Sequence, residues 1–241
     1  MRSVAILGST GSIGRSTLEV IAAAPDRLRV EALAAGRNIA LLVEQVKRFS
    51  PRVVGVADPA AVAGVKAAVW QGVTVVGGPS ALETAATLPG ADTVVVAVVG
   101  IAGLIPTLAA ARAGKRIGLA TKEVLVAGGG LVTDAIAAGG AALIPLDSEH
   151  NAIFQCLIGE DPGAVRRLIL TASGGPFLRR SAQDLARVTP QEALAHPVWR
   201  MGRRVTIDSA TMMNKGLEII EAAHLFRMPP ETVDVLVHPQ A

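Results

Sequence analysis

The chain has 241 residues, 51% apolar and 18% charged, a globular composition that fills one large or two small domains and excludes a disordered polypeptide. A net charge of +3 and a pI near 9.5 come from basic residues scattered singly or in pairs, and aromatics are only 2%. Nucleic-acid binding through a basic, base-stacking surface is therefore not expected, whereas a small phosphorylated ligand needs no more than a few of these cations.

Short apolar runs rich in valine recur at residues 4–8, 29–35, 53–56, 73–76, 93–99, 116–120 and 141–146, each followed by a helix-length segment. Strands that are apolar throughout are buried on both faces, as helices on both sides of a parallel sheet require. Residues 1–146 are thus expected to form a doubly wound, mostly parallel α/β domain of the Rossmann type. The first strand, VAIL, runs directly into GSTGSIG, which places Gly8, Gly11 and Gly14 between a strand and a helix. Glycines there let the backbone approach a pyrophosphate seated on the helix N-terminus; the alternative is a glycine turn that only packs helix on strand. No apolar core of signal-peptide length precedes this motif, so a cytoplasmic protein is expected.

After the second strand, where NAD-binding sites place an acid for the ribose 2′-hydroxyl, the chain has Gly36-Arg37-Asn38. Arg37 can pair with a 2′-phosphate, which favours NADPH, or it is a solvated surface arginine. Residues 93–111 run without a charge for close to the ~20 residues that cross a bilayer. Gly100, Gly103, Pro106 and the β-branched residues of the first half predict a buried strand, a turn and a helix instead, and no membrane association.

Beyond residue 146 apolar strands thin out and polar stretches follow, so residues 147–241 are expected to be a second, α+β catalytic domain. In IPLDSEHNAIFQ, Asp147 and Glu149 flank Ser148 where an apolar run stops, as helix-capping acids or as part of a site. The only cysteine, Cys156, excludes an internal disulfide and is expected to be a small core residue. TASGGPF follows the apolar run RRLIL, so Ser173 and its glycines either cradle an anion or end a strand. HPVWRMGRR sets Trp199 on a proline-broken segment, as a lid over a ligand or as a plug at a core edge. DSATMMNKGLEIIEAAHLF predicts one long helix over 208–226, capped by Asp208 or Ser209, with Asn214, Lys215 and Glu218 on one face. The sequence stops within the strand-like VDVLVHPQA, from which a truncated chain with an incomplete second domain is expected.

GSTGSIG, LATKE, PLDSEHNAIFQCL, TASGGPF, HPVWRMG, IDSATMMNKGLEIIEAAHLF and VHPQ, in that order over nearly the whole chain, closely resemble the 1-deoxy-D-xylulose 5-phosphate reductoisomerase family. The resemblance implies an NADPH-dependent oxidoreductase of non-mevalonate isoprenoid synthesis. Such an enzyme converts 1-deoxy-D-xylulose 5-phosphate to 2-C-methyl-D-erythritol 4-phosphate by metal-assisted retro-aldol and aldol steps followed by hydride reduction. It further implies that Asp147, Glu149 and Glu218 hold Mg²⁺ or Mn²⁺, with Co²⁺ a third candidate, in the oxygen-rich surroundings that hard cations favour. Ser148, Ser173, His196, Ser209, Asn214 and Lys215 resemble the substrate contacts, several of them on its phosphate. Thr10, Gly11, Ser12, Ile13, Gly36, Arg37, Asn38, Glu123 and Gly202 resemble the NADPH contacts. Lys122 resembles the lysine beside the reacting centre, and Trp199 with Met201 the flap over the substrate.

Thr121 stands where the family usually has asparagine, which removes an amide from an expected cofactor contact, and Ala241 stands where serine is usual. Family members are longer, continuing through the rest of the sheet by which they form homodimers and into a helical domain. The chain is accordingly expected to be weak or inactive alone and to expose a sheet edge prone to association. Two other readings make different predictions. A generic NADP-dependent aldehyde reductase with Cys156 as nucleophile would be sensitive to thiol reagents and need no metal; an NADP-binding fragment without catalysis would bind cofactor but show no metal-dependent substrate binding.

Overall fold

The computed structural model describes residues 1–199 and 201–238, so Arg200 of HPVWRMG and the last three residues of VHPQA lie outside it. The chain divides into two compact units, Met1–Asp147 and Ser148–Ala241.

In the first unit all seven valine-rich runs become strands: β1 (Arg2–Leu7), β2 (Leu28–Ala35), β3 (Val53–Val56), β4 (Thr74–Gly77), β5 (Thr93–Val96), β6 (Arg116–Leu119) and β7 (Ala142–Pro145). Between them lie α1 (Ser12–Ala23), α2 (Ile39–Phe49), α3 (Val62–Ala68), α4 (Ala81–Ala86), α5 (Leu104–Arg112) and α6 (Glu123–Gly139). The strands form one parallel sheet in the order β4-β3-β2-β1-β5-β6-β7. The chain winds outward from β1 to β4, crosses back to β5 on the other side of β1, and winds outward again. That reversal leaves a crevice beyond the C-terminal ends of β1 and β5, where open α/β sheets bind ligands.

The apolar runs give the sheet its stability. Ile6, Leu33, Val54 and Val56 from the strands pack with Leu42 of α2 and Val65 of α3, all fully buried. A buried side chain of this size contributes roughly 1.5–3 kcal/mol relative to an exposed one. Residues 93–111 form β5, a 3-10 turn (Gly100–Gly103) and α5, and no helix among the described residues is long and apolar enough to cross a membrane.

The second unit contains α7 (Ser148–Cys156), β8 (Leu168–Ala172), α8 (Ala182–Leu185), α9 (Pro190–Ala193), α10 (Arg203–Ala210), α11 (Met213–Phe226) and β9 (Val233–Val237). Its two strands pair in parallel. Leu168, Leu170 and Ala172 alternate inward along β8, and Leu168 and Leu170 form a core with Ala222 of α11, Ile153 of α7 and Val233 of β9, much smaller than that of the first unit.

Two expectations need correction. The single helix over 208–226 is two helices, α10 and α11, broken at Thr211 and Met212. Met212 adopts a left-handed conformation (φ 59°), so Asp208 and Ser209 lie in the last turn of α10 and cap nothing at the start of α11. Cys156 is no core residue: it is exposed at the end of α7.

Candidate active site

In the first unit, chain reversal after β1 requires a glycine. Gly8 has φ 89°, and a Cβ there would stand 2.4 Å from the Ala97 carbonyl oxygen just beyond β5, so only a bare backbone fits at the switch point. The amides of Gly8 and Ser9 donate to the Ala34 carbonyl (2.8 and 3.0 Å), pinning the loop to β2. Thr10 is partly exposed, Gly11, Ser12 and Ile13 are exposed, and α1 begins with no side-chain cap and no acid in its first turn. Its leading N–H groups are thus left for an anion. Gly36, Arg37 and Asn38 are exposed beyond β2, where Asn38 Oδ1 accepts from Leu41 N (3.2 Å) and so starts α2. Gln45, buried on α2, donates from Nε2 to the Ser9 carbonyl (2.9 Å), joining this helix to the glycine loop. It was absent from the sequence reading, although its place between Leu42 and Val46 in the buried stripe of α2 marks it as a polar group inside an apolar face.

Neighbouring parallel strands end at the same edge. Leu119 of β6 pairs with Pro145 of β7, so the residues that follow, Thr121-Lys122 and Leu146-Asp147, emerge together. Lys122 Nζ lies 2.5 Å from Asp147 Oδ2, with side-chain exposures of only 10% and 16%. The Thr121 hydroxyl donates to the Val98 carbonyl and is buried, so this side chain braces the loop after β5; Glu123, partly exposed, opens α6.

In the second unit, the carboxylates of Glu149 on α7 and Glu218 on α11 offer oxygens within 4.8 Å of each other. Glu218 is 1% exposed, and such a charge is tolerated only when compensated. Compensation comes from Lys215, itself buried: its Nζ donates to Glu149 Oε1 (3.2 Å), to Glu218 Oε2 and to the Thr171 carbonyl at the end of β8 (2.5 Å). Asn214 Nδ2 donates to Glu218 Oε1 (2.5 Å), and the Ser148 hydroxyl to Glu149 Oε2 (2.6 Å). Below this cluster His150, fully buried, bonds the Glu218 carbonyl through Nε2 (2.9 Å), lies 3.7 Å from Glu221 Oε2 and stacks on Phe226. His150 and Glu221 were also missed by sequence reading. The signal for Glu221 is its i+3 step from Glu218 on the buried stripe Lys215, Glu218, Glu221, Ala222.

A second polar group forms where β8 ends. Gly175 has φ 70°, and a Cβ there would be 2.6 Å from the Ser209 carbonyl oxygen, so the turn carrying Ser173 lies flat against α10. Ser173 Oγ is 3.1 Å from His196 Nε2, while His196 Nδ1 accepts from the amides of Val198 (3.2 Å) and Trp199 (2.9 Å). Two donors at Nδ1 assign the ring proton to Nε2, which donates to Ser173; burial also lowers the His196 pKa from its ordinary 6.5, favouring this neutral ring. Ser209 is buried on α10, Gly202 is exposed at the N-terminus of that helix, and Trp199 and Met201 are exposed beside it.

A doubly wound sheet with an open glycine loop at its switch point defines a dinucleotide-binding α/β protein. Residues 4–129 match the 1-deoxy-D-xylulose 5-phosphate reductoisomerase family and residues 143–226 its C-terminal domain; the chain belongs to this family. The full chain is 55% identical to the 1-deoxy-D-xylulose 5-phosphate reductoisomerase of Burkholderia vietnamiensis and 52% identical to that of Methylococcus capsulatus, spanning 62% and 64% of their lengths. Among solved structures, 99% of the chain superposes on DOX-P reductoisomerase in complex with NADPH, fosmidomycin and magnesium (TM-score 0.93, 44% identity, 62% of that chain). It superposes equally on the Zymomonas mobilis reductoisomerase in complex with NADPH (TM-score 0.92, 49% identity, 62% of that chain).

Proposed function

We propose that the chain carries the cofactor-, metal- and substrate-binding portions of an NADPH-dependent reductoisomerase that converts 1-deoxy-D-xylulose 5-phosphate to 2-C-methyl-D-erythritol 4-phosphate in isoprenoid synthesis. The observation that carries this reading is the Glu149–Lys215–Glu218 cluster, in which two carboxylates, Glu218 buried and Glu149 partly so, converge on a single lysine ammonium. Residues 1–146 act as the NADPH-binding domain and residues 147–241 as the catalytic domain. In this reading Thr10, Gly11, Ser12 and Ile13 receive the pyrophosphate, Arg37 pairs with the 2′-phosphate beside Gly36 and Asn38, and Thr121, Glu123 and Gly202 border the cofactor.

The oxygen donors fit a hard divalent ion, Mg²⁺ or Mn²⁺, held by Asp147, Glu149 and Glu218. When bound, that ion and NADPH supply Lewis-acid polarisation of the sugar's oxygens and the reducing hydride. Lys122, anchored on Asp147, places its ammonium where an oxygen gains negative charge during carbon–carbon cleavage. His196 donates to Ser173 Oγ, leaving the serine proton to donate onward to a phosphate oxygen, and Ser209, Asn214 and Lys215 complete that grip. Ser148 reaches the sugar, while Trp199 and Met201 cover it and exclude water. The parent enzyme works as a cytoplasmic homodimer.

The alternative with Cys156 as nucleophile finds no support, since this thiol is the exposed last residue of α7 with no base paired to it among the described residues. The test is deoxyxylulose-phosphate-dependent oxidation of NADPH with Mg²⁺. Turnover is expected to vanish with a chelator and to survive a thiol reagent. Metal-independent turnover that a thiol reagent stops would overturn the assignment.

A further inference from the structure

We propose that Lys215 is a built-in counterion for Glu149 and Glu218 that must give up its place when a divalent ion arrives, and that this exchange releases its ammonium to hold the substrate's phosphate. The inference rests on the metal and phosphate roles proposed above. A lysine ammonium has three donors, and here all three are committed, to Glu149 Oε1, Glu218 Oε2 and the Thr171 carbonyl. Nothing remains on Nζ for a phosphate in this arrangement.

Each oxygen of these two carboxylates already has a donor, Nζ on Glu149 Oε1 and Glu218 Oε2, the Ser148 hydroxyl on Glu149 Oε2 and Asn214 Nδ2 on Glu218 Oε1, so a divalent ion arriving here competes with the ammonium for the same pair of negative charges. Each partner therefore competes with one that the other removes. The ion displaces Nζ from Glu149 and Glu218, and a phosphate draws Nζ off the same carboxylates. By linkage, metal and phosphate must then favour each other's binding by the same factor. Lysine suits such an exchange because its flexible four-carbon stem moves a point charge without moving the backbone, whereas Asn214 and His150 keep Glu218 fixed.

A purely structural role makes the opposite prediction, which is what gives the test its value. If Lys215 only held Glu149 and Glu218 in position, its loss would weaken metal binding; under exchange, its loss removes a competitor. Mn²⁺ is titrated into the chain and into Lys215→Gln, with electron paramagnetic resonance reading free ion, in the presence and absence of methyl phosphate, a probe without the sugar's chelating oxygens. Lys215→Gln is expected to bind Mn²⁺ about tenfold tighter than the unaltered chain, and methyl phosphate to tighten Mn²⁺ binding about fivefold in the unaltered chain alone.

Unchanged or weaker Mn²⁺ binding in Lys215→Gln, or equal enhancement by methyl phosphate in both proteins, overturns the exchange while leaving the metal reading intact. No Mn²⁺ binding by the unaltered chain overturns both. Should Lys215→Gln fail to fold, the unaltered chain still decides: methyl phosphate affinity must rise at saturating Mg²⁺, and a constant or falling affinity refutes the exchange.

Discussion

The two units solve the burial of function in opposite ways. In the first, the interior is mainly hydrocarbon and the candidate functional groups stand at strand ends, aimed by sheet topology: Gly8 after β1, Arg37 after β2, Lys122 after β6 and Asp147 after β7. In the second, the small core leaves room for charge, and Glu218, Lys215, His150 and Glu221 are themselves buried, aimed by one another through hydrogen bonds. A site placed by backbone topology depends on packing for its precision. A site placed by compensating charges depends on every partner being present, since loss of one leaves an uncompensated ion.

The contrast can be broken or sharpened by substitution. Leu33→Ala, in the core of the sheet, is expected to cost roughly 2–5 kcal/mol in denaturant unfolding. Mn²⁺ affinity of the folded protein should stay unchanged, and a loss of ion binding would mean that the units do not divide the work. Arg37→Gln is expected to weaken NADPH binding by about 1.5–3 kcal/mol, as removal of a charge-assisted bond does, with NADH binding barely altered. Equal losses for both cofactors in calorimetry would remove Arg37 from the 2′-phosphate.

The smallest effect concerns His196. Burial lowers its pKa in the fold, so the fold favours the neutral ring and the unfolded chain binds more protons as pH drops. The stability that this ring contributes is present above its ordinary value of 6.5 and is lost as pH falls from there through the lowered value. Thermal midpoints measured across that window should fall less in His196→Gln than in the unaltered chain; parallel curves would exclude the ring as the titrating group.

The same contrast explains what could be read from the sequence. All seven strands of the first unit were legible because an uninterrupted apolar run has few other fates, and the glycine loop because Gly8 and its companions sit between a strand and a helix. Asn214, Lys215 and Glu218 were placed on one face by helical spacing, and the bonds from Asn214 and Lys215 to Glu218 follow that spacing. The break at Thr211 and Met212 was not legible, since neither residue is a glycine or a proline and a side chain as large as methionine rarely adopts the left-handed conformation found at Met212. His150, Glu221 and Gln45 escaped because a polar residue on a helix reads as solvent-facing until its neighbours in space are known. The bond from the Thr121 hydroxyl to the Val98 carbonyl is likewise a long-range contact that no local pattern reveals.

The central claim, that cofactor binding belongs to the sheet unit and metal binding to the clustered acids, is tested most directly by titrating NADPH and Mn²⁺ separately into Glu149→Gln in a calorimeter. The account predicts NADPH affinity within about twofold of the unaltered chain and Mn²⁺ affinity reduced by roughly 10²-fold or more, as expected when a hard cation loses an anionic oxygen ligand. Mn²⁺ binding that survives the substitution, or NADPH binding that disappears with it, would contradict the account.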